Sequence, residues 1–309
     1  MNAISVVVPV CNEVENVPAL HRKLAEIALR VEGRWEFIFV DDGSRDGTWE
    51  VLLDLQSQDR RVRPIRLARN FGQTLAMSCG IDAASGDILI TMDGDLQNDP
   101  ADIPRLLAKL EEGYDVVCGW RHQRQDKLWT RKVPSIVANR LIGWLTGVAL
   151  HDYGCSLKAY RAAAIKRTPL YAEFHRFIPA MSTLTGAAIA EIKVNHHPRR
   201  HGRTKYTLSR TWRVAFDMIT VSLLIKFASK PLRLFGALAL LSVAASAACL
   251  TQSWRGYAAA SSGMSQVAPG IACLGVWLAG HLVIVGLIAE LCLATAHARP
   301  ERLIAAGRE

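Results

Sequence analysis

Two aspartates one residue apart, Asp93 and Asp95 in MDGDLQNDP, follow the apolar run DILITMD and are crowded by Gln97, Asn98, Asp99 and Pro100. Carboxylates this dense repel one another, so a fold keeps them together only where water surrounds them or a cation sits among them. Mg2+ and Mn2+ take oxygen ligands, commonly one or two carboxylates completed by substrate phosphates and water. Asp93, Asp95 and the neutral oxygen of Gln97 offer such a set. Gly94 between them adds no side chain, so a phosphate or sugar can come close to the backbone. A lone D-x-D triplet equally describes a solvated turn. Its place after an apolar strand, with two further acidic turns in VCNEVE and VDDGSRDG, favours chemistry.

The elements that must position these turns alternate. ISVVVPV and EFIFVDD read as short strands ending in polar residues, and between them Val17, Leu20, Leu24, Ile27 and Val31 recur at helical spacing. RPIRLARN reads as a strand, Gly72 to Ala84 as a helix, DILITMD as a strand, Pro100 to Glu112 as a helix and DVVCGWR as a strand. This pattern predicts an α/β fold with a mostly parallel sheet between helices. Ligands of such sheets collect at the carboxyl ends of the strands, where all three acidic turns fall. The GxGxxG and GxxxxGK[ST] phosphate loops are absent from the sequence.

Beyond Pro231 the composition changes. Leu234–Ser253 and Gly256–Ala289 are almost uncharged and rich in Gly, Ala and Ser, and each holds the roughly 20 residues that cross a bilayer core. The alternative for these segments is a buried helical hairpin of a soluble protein. Lys226, Lys230 and Arg233 precede the first span, Arg299, Arg302 and Arg308 follow the second, and the expected loop between them carries only Arg255. By the positive-inside rule, the N-terminal domain and both termini are expected in the cytoplasm, in a multi-pass protein of the cytoplasmic membrane. Met1–Val10 reads as a strand rather than a signal peptide. Seven cysteines without CxxC or zinc spacing fit a reducing compartment, and a net charge of +9 suits a phosphate-bearing neighbour. No nucleic-acid-reading motif is present, and a homo-oligomer is left open.

Taken in order, VVVPVCNEVENV, FIFVDDGSRDGT, RNFGQTLAMSCGIDAASGD, MDGDLQNDP, EGYDVVCGWR, DYGCSLKAYR and HGRTKY resemble the inverting family 2 glycosyltransferases of A-type fold. The similarity is to the polyprenyl-phosphate sugar transferases in particular. It covers about the first 210 residues, and the two apolar segments match that group's membrane tail. The resemblance implies that Pro9, Cys11, Glu13, Val40 and Asp42 line the nucleoside pocket, with Cys11 departing from a common tyrosine. It implies that Asp93, Asp95 and Gln97 hold Mg2+ or Mn2+ on the donor diphosphate, Gly94 touches the donor, and Arg121 reaches a phosphate. Arg131 and Ser135 would grip the acceptor phosphate, and Arg199 and Lys205 would close over the site. Arginine and lysine suit phosphate on general grounds, although RRHGRTK also reads as a headgroup-binding cluster beside the membrane. His196, His197 and His201 read as surface histidines, and Trp129, Trp144 and Trp212 as packing or interfacial residues.

The expected organisation is a cytoplasmic glycosyltransferase domain over 1–205, an in-plane interfacial helix over 206–230 and a two-span region over 231–309. The expected reaction moves a sugar from a nucleotide sugar, with UDP favoured, to undecaprenyl or another polyprenyl phosphate. A lipid phosphate, with a second pKa of about 6, is mostly a dianion at neutral pH and needs no base. Asp152 in HDYGCS and Asp95 are the expected catalytic residues, Asp152 either orienting the acceptor or sugar, which is favoured, or acting as a base. A haloacid-type phosphohydrolase would place Thr or Val where Gln97 stands. A non-catalytic membrane scaffold is the other rival, and a processive synthase would carry QxxRW and more spans.

Overall fold

The computed structural model describes residues 3–122, 140, 143, 147–166, 177–183, 186–198, 227, 230–258 and 267–296. Seven strands form one sheet: β1 Ala3–Val10, β2 Arg34–Asp41, β3 Val62–Arg66, β4 Ile88–Thr91, β5 Val116–Trp120, β6 Lys158–Arg161 and β7 Ile189–Lys193. Their order is β3-β2-β1-β4-β6-β5-β7. β6 lies antiparallel to β4 and β5, and the other pairs are parallel. The helices are α1 Val17–Arg30, α2 Thr48–Gln58, α3 Gln73–Ala83, α4 Ile103–Glu111, α5 Ala162–Ile165 and α6 Ile178–Ser182. The expected helix from Pro100 is a 3-10 turn, Pro100–Asp102, that leads into α4, with Asp99 accepting from the Ala101 amide.

All eight residues of β1 are buried, as befits a strand covered on both faces. The apolar stripe of α1 does what its spacing predicts: Val17, Leu20, Leu24 and Ile27 are buried, in one core with Val6, Val8, Phe37 and Phe39. On the opposite face α3 closes down on β1 and β2 through Gly80, whose missing Cβ would strike Val7 Cγ1 and lie 3.0 Å from Val40 Cγ2. Gly80→Ala is therefore expected to destabilise the protein by about 1–3 kcal/mol, measured by denaturant unfolding. An unchanged midpoint would show that the α3–sheet contact yields freely.

The chain leaves β1 for β2 and β3 on one side, then returns to place β4 on the other. Between β1 and β4 the winding direction switches, and the carboxyl ends of β1, β2 and β4 open on one rim.

The chain divides into two compact units, Met1–Ser222 and Leu223–Glu309. The second holds two long helices, α7 Pro231–Ala258 and α8 Val267–Ala296. Segments Pro231–Arg255 and Val267–Cys292 are long and apolar enough to cross a membrane, and only 11% and 17% of their apolar windows is buried. Such exposure does not suit the core hairpin of a soluble protein. The expected boundaries shift: Arg255 and Gly256 belong to α7, not to the loop or the second span. Helical hydrogen bonding runs on past the apolar stretch because it satisfies the backbone in either medium. Small residues set the helix contact, with Ser242 Oγ donating to the Gly275 carbonyl at 2.8 Å and Ser246 filling the space beside Gly275. The Glu290 carboxylate accepts the Leu232 amide at 3.2 Å, satisfying one open donor at the start of α7. Nearly all of the interfacial helix expected over 206–230 lies outside the described residues.

Candidate active site

The first two acidic turns are laced together by their own side chains. The Asn12 amide donates to Ser44 Oγ at 2.8 Å, and the Arg45 amide returns to Asn12 Oδ1 at 2.8 Å. The Glu13 amide donates to Thr48 Oγ1 at 3.0 Å, while Glu13 itself accepts from Asn16 Nδ2 at 2.6 Å. Asn12 takes a left-handed backbone, φ 56°, which asparagine tolerates better than most residues. Pro9 and Val40 are register partners on β1 and β2. The expected nucleoside residues Pro9, Cys11, Glu13, Val40 and Asp42 thus meet at one place.

Asp42 is buried, and its carboxylate bridges outward. Oδ1 accepts the Phe71 amide at 2.7 Å and Oδ2 the Gly72 amide at 2.9 Å. The RNFG loop is drawn in further by Asn70, whose Nδ2 reaches Cys11 Sγ at 3.1 Å and the Asp42 carbonyl at 3.2 Å. Gly43 makes this approach feasible: its φ is +69°, and a Cβ there would lie 2.6 Å from the Asn70 nitrogen. Cys11 therefore takes part in the loop contact.

One residue past Gly72, Gln73 opens α3 and donates from Nε2 to Asp93 Oδ1 at 2.6 Å. The D-x-D turn and the turn at Asp42 are thereby joined through three consecutive loop residues. Asp95 is buried, and its Oδ1 accepts the Gln97 amide at 3.2 Å. Leu96, between them, sits at φ 60°, a strained conformation for a branched side chain that functional turns commonly hold. Gly94 meets a packing demand beyond the ligand approach expected of it, since a Cβ there would lie 2.7 Å from Val10 Cγ1. Among the described residues no three His, Cys, Asp or Glu side chains are grouped to hold a metal. The donor set is two carboxylates and an amide oxygen, which fits a hard divalent cation shared with phosphates better than a self-sufficient protein cage.

Arg121 and Asp152 form a closed pair. Arg121 Nε donates to Asp152 Oδ2 at 2.6 Å and Nη2 to Oδ1 at 2.9 Å; the Arg121 and Gly154 amides add bonds at 3.3 and 3.0 Å. Gly154 leaves room for the guanidinium, because a Cβ would lie 3.0 Å from Nη2. Burial works against the Arg121 charge, but its bonds to Asp152, with Asp93 contributing, hold its pKa well above the ordinary value. Behind the pair, Glu191 on β7 accepts the His151 and Asp152 amides at 3.1 and 3.0 Å and His151 Nδ1 at 2.8 Å.

His197 lies at the surface as expected, its side chain 46% exposed, and is anchored there. Its Nε2 meets Asp99 Oδ2 at 2.9 Å and its amide donates to the Gln97 carbonyl at 2.9 Å, while Asn98 and His196 form an isolated bridge. Burial works against the charged Asp99 carboxylate, but the His197 bond and the Ala101 amide outweigh it and hold the pKa below its usual range. The NHHP segment that leads to RRHGRTK is therefore rooted on the D-x-D turn. Asn98 Nδ2 also donates to Ser156 Oγ at 2.7 Å, tying that turn to the segment after Asp152.

Burial pushes the thiols of Cys118 and Cys155 up to about 12. Both are expected to resist alkylation at pH 8 in the folded protein and to react once denatured, read by peptide mass spectrometry. Labelling in the native state would contradict their burial.

Arg131, Ser135, Arg199 and Lys205, with His201, Trp129, Trp144 and Trp212, lie outside the described residues. Gln73 and Glu191 were not singled out in the sequence, and Asn98 only as a neighbour of the D-x-D pair. Gln73 had a local cue in its place at the start of a helix, whereas Glu191 had none.

Residues 5–170 match the family model described as Glycosyl transferase family 2. The chain is similar to the dodecaprenyl-phosphate galacturonate synthase of Rhizobium johnstonii, 47% identical over 77% of this chain and 71% of that protein. It is similar also to the undecaprenyl-phosphate 4-deoxy-4-formamido-L-arabinose transferase of Pseudomonas aeruginosa, 40% identical over 71% of this chain and 65% of that protein. The alignment thus spans just under two thirds of the second relative's length. Among solved structures, glucosyl-3-phosphoglycerate synthase from Mycobacterium tuberculosis, in complex with Mn2+ and UDP-glucose, aligns with TM-score 0.55 at 20% identity, covering 72% of this chain and 78% of that one. Mannosyl-3-phosphoglycerate synthase from Rubrobacter xylanophilus aligns with TM-score 0.55 at 14% identity, covering 72% and 74%. At these identities the structural likeness establishes the A-type fold alone.

Proposed function

The chain belongs to glycosyl transferase family 2, and from that premise we propose that it transfers a sugar from a nucleotide sugar to the phosphate of a polyprenyl phosphate. One observation carries the reading: the nucleoside-type turn at Asp42 and the D-x-D turn at Asp93 are joined through Phe71, Gly72 and Gln73 at one rim of the sheet. The chain also bears two helices of membrane-crossing length, and relatives aligned over most of the chain are named for polyprenyl-phosphate products. UDP as the nucleotide, a cytoplasmic site and cytoplasmic termini belong to the same proposal, supported by the basic flanks of α7 and α8.

Asp93 and Asp95, with Gln97, would hold Mg2+ or Mn2+. When bound, such an ion supplies countercharge to the departing nucleoside diphosphate. The protein's own part is orientation. Asp42 and Asn70 keep the RNFG loop against the nucleoside turn, and Gln73 fixes one oxygen of Asp93. A phosphate oxygen of the lipid attacks the anomeric carbon as the bond to the nucleoside diphosphate breaks, inverting the centre. Asp152 gives its lone pairs to Arg121 and two amides, which suits anchoring rather than proton removal. The phosphohydrolase and scaffold alternatives lose ground to membership of an enzyme family whose aligned relatives are sugar transferases.

The test incubates purified protein with undecaprenyl phosphate, Mg2+ or Mn2+, and a panel of radiolabelled nucleotide sugars. Label is expected to enter the organic phase with one donor. No transfer from any donor by folded protein would sink the proposal.

A further inference from the structure

We infer that Glu191, on the edge strand β7 and outside every motif of the sequence, is a positioning residue that sets Asp152 and, through it, Arg121. The inference rests on the transfer reaction proposed above for its kinetic readout, but not for its structural one.

Glu191 is almost fully enclosed, with its side chain 10% exposed. Oε1 accepts two consecutive backbone amides, His151 at 3.1 Å and Asp152 at 3.0 Å. Oε2 accepts the His151 amide at 3.1 Å and His151 Nδ1 at 2.8 Å. Consecutive amides converging on one carboxylate hold the peptide between them in a single orientation, because turning it would strip donors from a partly buried anion. The next side chain along is Asp152, whose own carboxylate grips Arg121 by Nε and Nη2. The order of support thus runs from Glu191 to the peptide, from the peptide to Asp152, and from Asp152 to the guanidinium that lies within the influence of Asp93.

The outer side of this segment is clamped as well. The His151 ring stacks on Trp120, centroids 4.1 Å apart and planes within 15° of parallel, and Lys193 Nζ lies 5.3 Å from the centroid of the same Trp120 ring. Trp120 ends β5 and immediately precedes Arg121, and Glu191 pairs in register with Cys118 on that strand. Glu191 and His151 therefore fix both ends of the Arg121–Asp152 contact from one edge of the sheet. Hydrogen-bond acceptance, not charge, is what this arrangement uses. A glutamine could keep its oxygen on the two amides and donate its NH2 to His151 Nδ1 in the other ring tautomer.

The test compares Glu191→Ala and Glu191→Gln, each alone and in an Asp152→Ala background, in the full chain. Glu191→Ala is expected to lower the turnover of sugar transfer by about 30-fold, the scale usual when the partner behind a site group is removed. Glu191→Gln is expected to stay within about threefold of the unaltered protein. In the Asp152→Ala background, Glu191→Ala is expected to cost little more, since a residue acting through another shows no separate effect once that other is removed. Multiplying losses in the double variant, or equal losses in Gln and Ala, would overturn the assignment. Hydrogen exchange of the peptide spanning residues 148–157 supplies a readout free of any substrate. Faster exchange in Glu191→Ala, restored in Glu191→Gln, is expected, and unchanged exchange would refute the claim. If the unaltered protein transfers no sugar, the proposed function fails while this exchange result still decides the inference.

Discussion

Replacing Asp93 and Asp95 together by alanine is expected to lower kcat/KM for sugar transfer by at least about 1,000-fold, equivalent to roughly 4 kcal/mol of transition-state stabilisation. The protein should remain folded, because the pair contributes little to the core: Asp93 is bonded to Gln73 at the rim, and Asp95 to its own turn. Single replacements distinguish their parts. Asp93→Ala also releases the Gln73 amide and loosens the link to the nucleoside turn, so it should weaken donor binding as well as turnover. Gln73→Ala should reproduce a fraction of that effect, about tenfold, by freeing an Asp93 oxygen that the loop now orients. Donor binding by calorimetry beside steady-state kinetics separates the two. Full turnover in the double alanine variant would remove the basis for a cation-assisted transfer at this turn.

Arg121→Ala is expected to destabilise the protein by about 3–5 kcal/mol, because it leaves the Asp152 carboxylate buried without its guanidinium. Their side chains are 14% and 7% exposed, so solvent does not screen the pair as it would at the surface. Removing both partners should cost less than removing Arg121 alone, since no uncompensated buried charge then remains. Chemical denaturation of the three variants measures this ordering. Asp152→Asn bears on mechanism: it should retain measurable transfer at reduced rate, because an amide still accepts from Arg121 and a dianionic lipid phosphate needs no base. Complete loss of transfer, with donor binding and folding intact, would instead make Asp152 the base.

How far the site could be read from the chain depended on the reach of each interaction. The acidic turns were legible because each follows a strand by a residue or two, and strand polarity alone sends their side chains to one rim. α1 was legible because Val17, Leu20, Leu24 and Ile27 share one face by periodicity alone. The long apolar helices stood out by composition, although their ends did not, since helical hydrogen bonding continues beyond the apolar window. His197 lies at the surface as its sequence suggested, but its contact with Asp99, 98 positions away, had no local signature. β6 inserts antiparallel between β4 and β5, a choice made by pairing across the sheet that no local pattern announces.

The amino-acid sequence by itself determined the fold class, the D-x-D turn, the membrane-length segments and the residue types of the site, because strand and helix periodicity, turn chemistry and apolar length act over a few positions. Only the tertiary structure decided the pairings: Asp42 with the Phe71 and Gly72 amides, Gln73 with Asp93, Arg121 with Asp152, and Glu191 behind them. Each joins groups 20 to 39 positions apart. A hydrogen bond requires its atoms within about 3 Å along a fixed direction, and that condition is met only after the sheet has set which strands are neighbours.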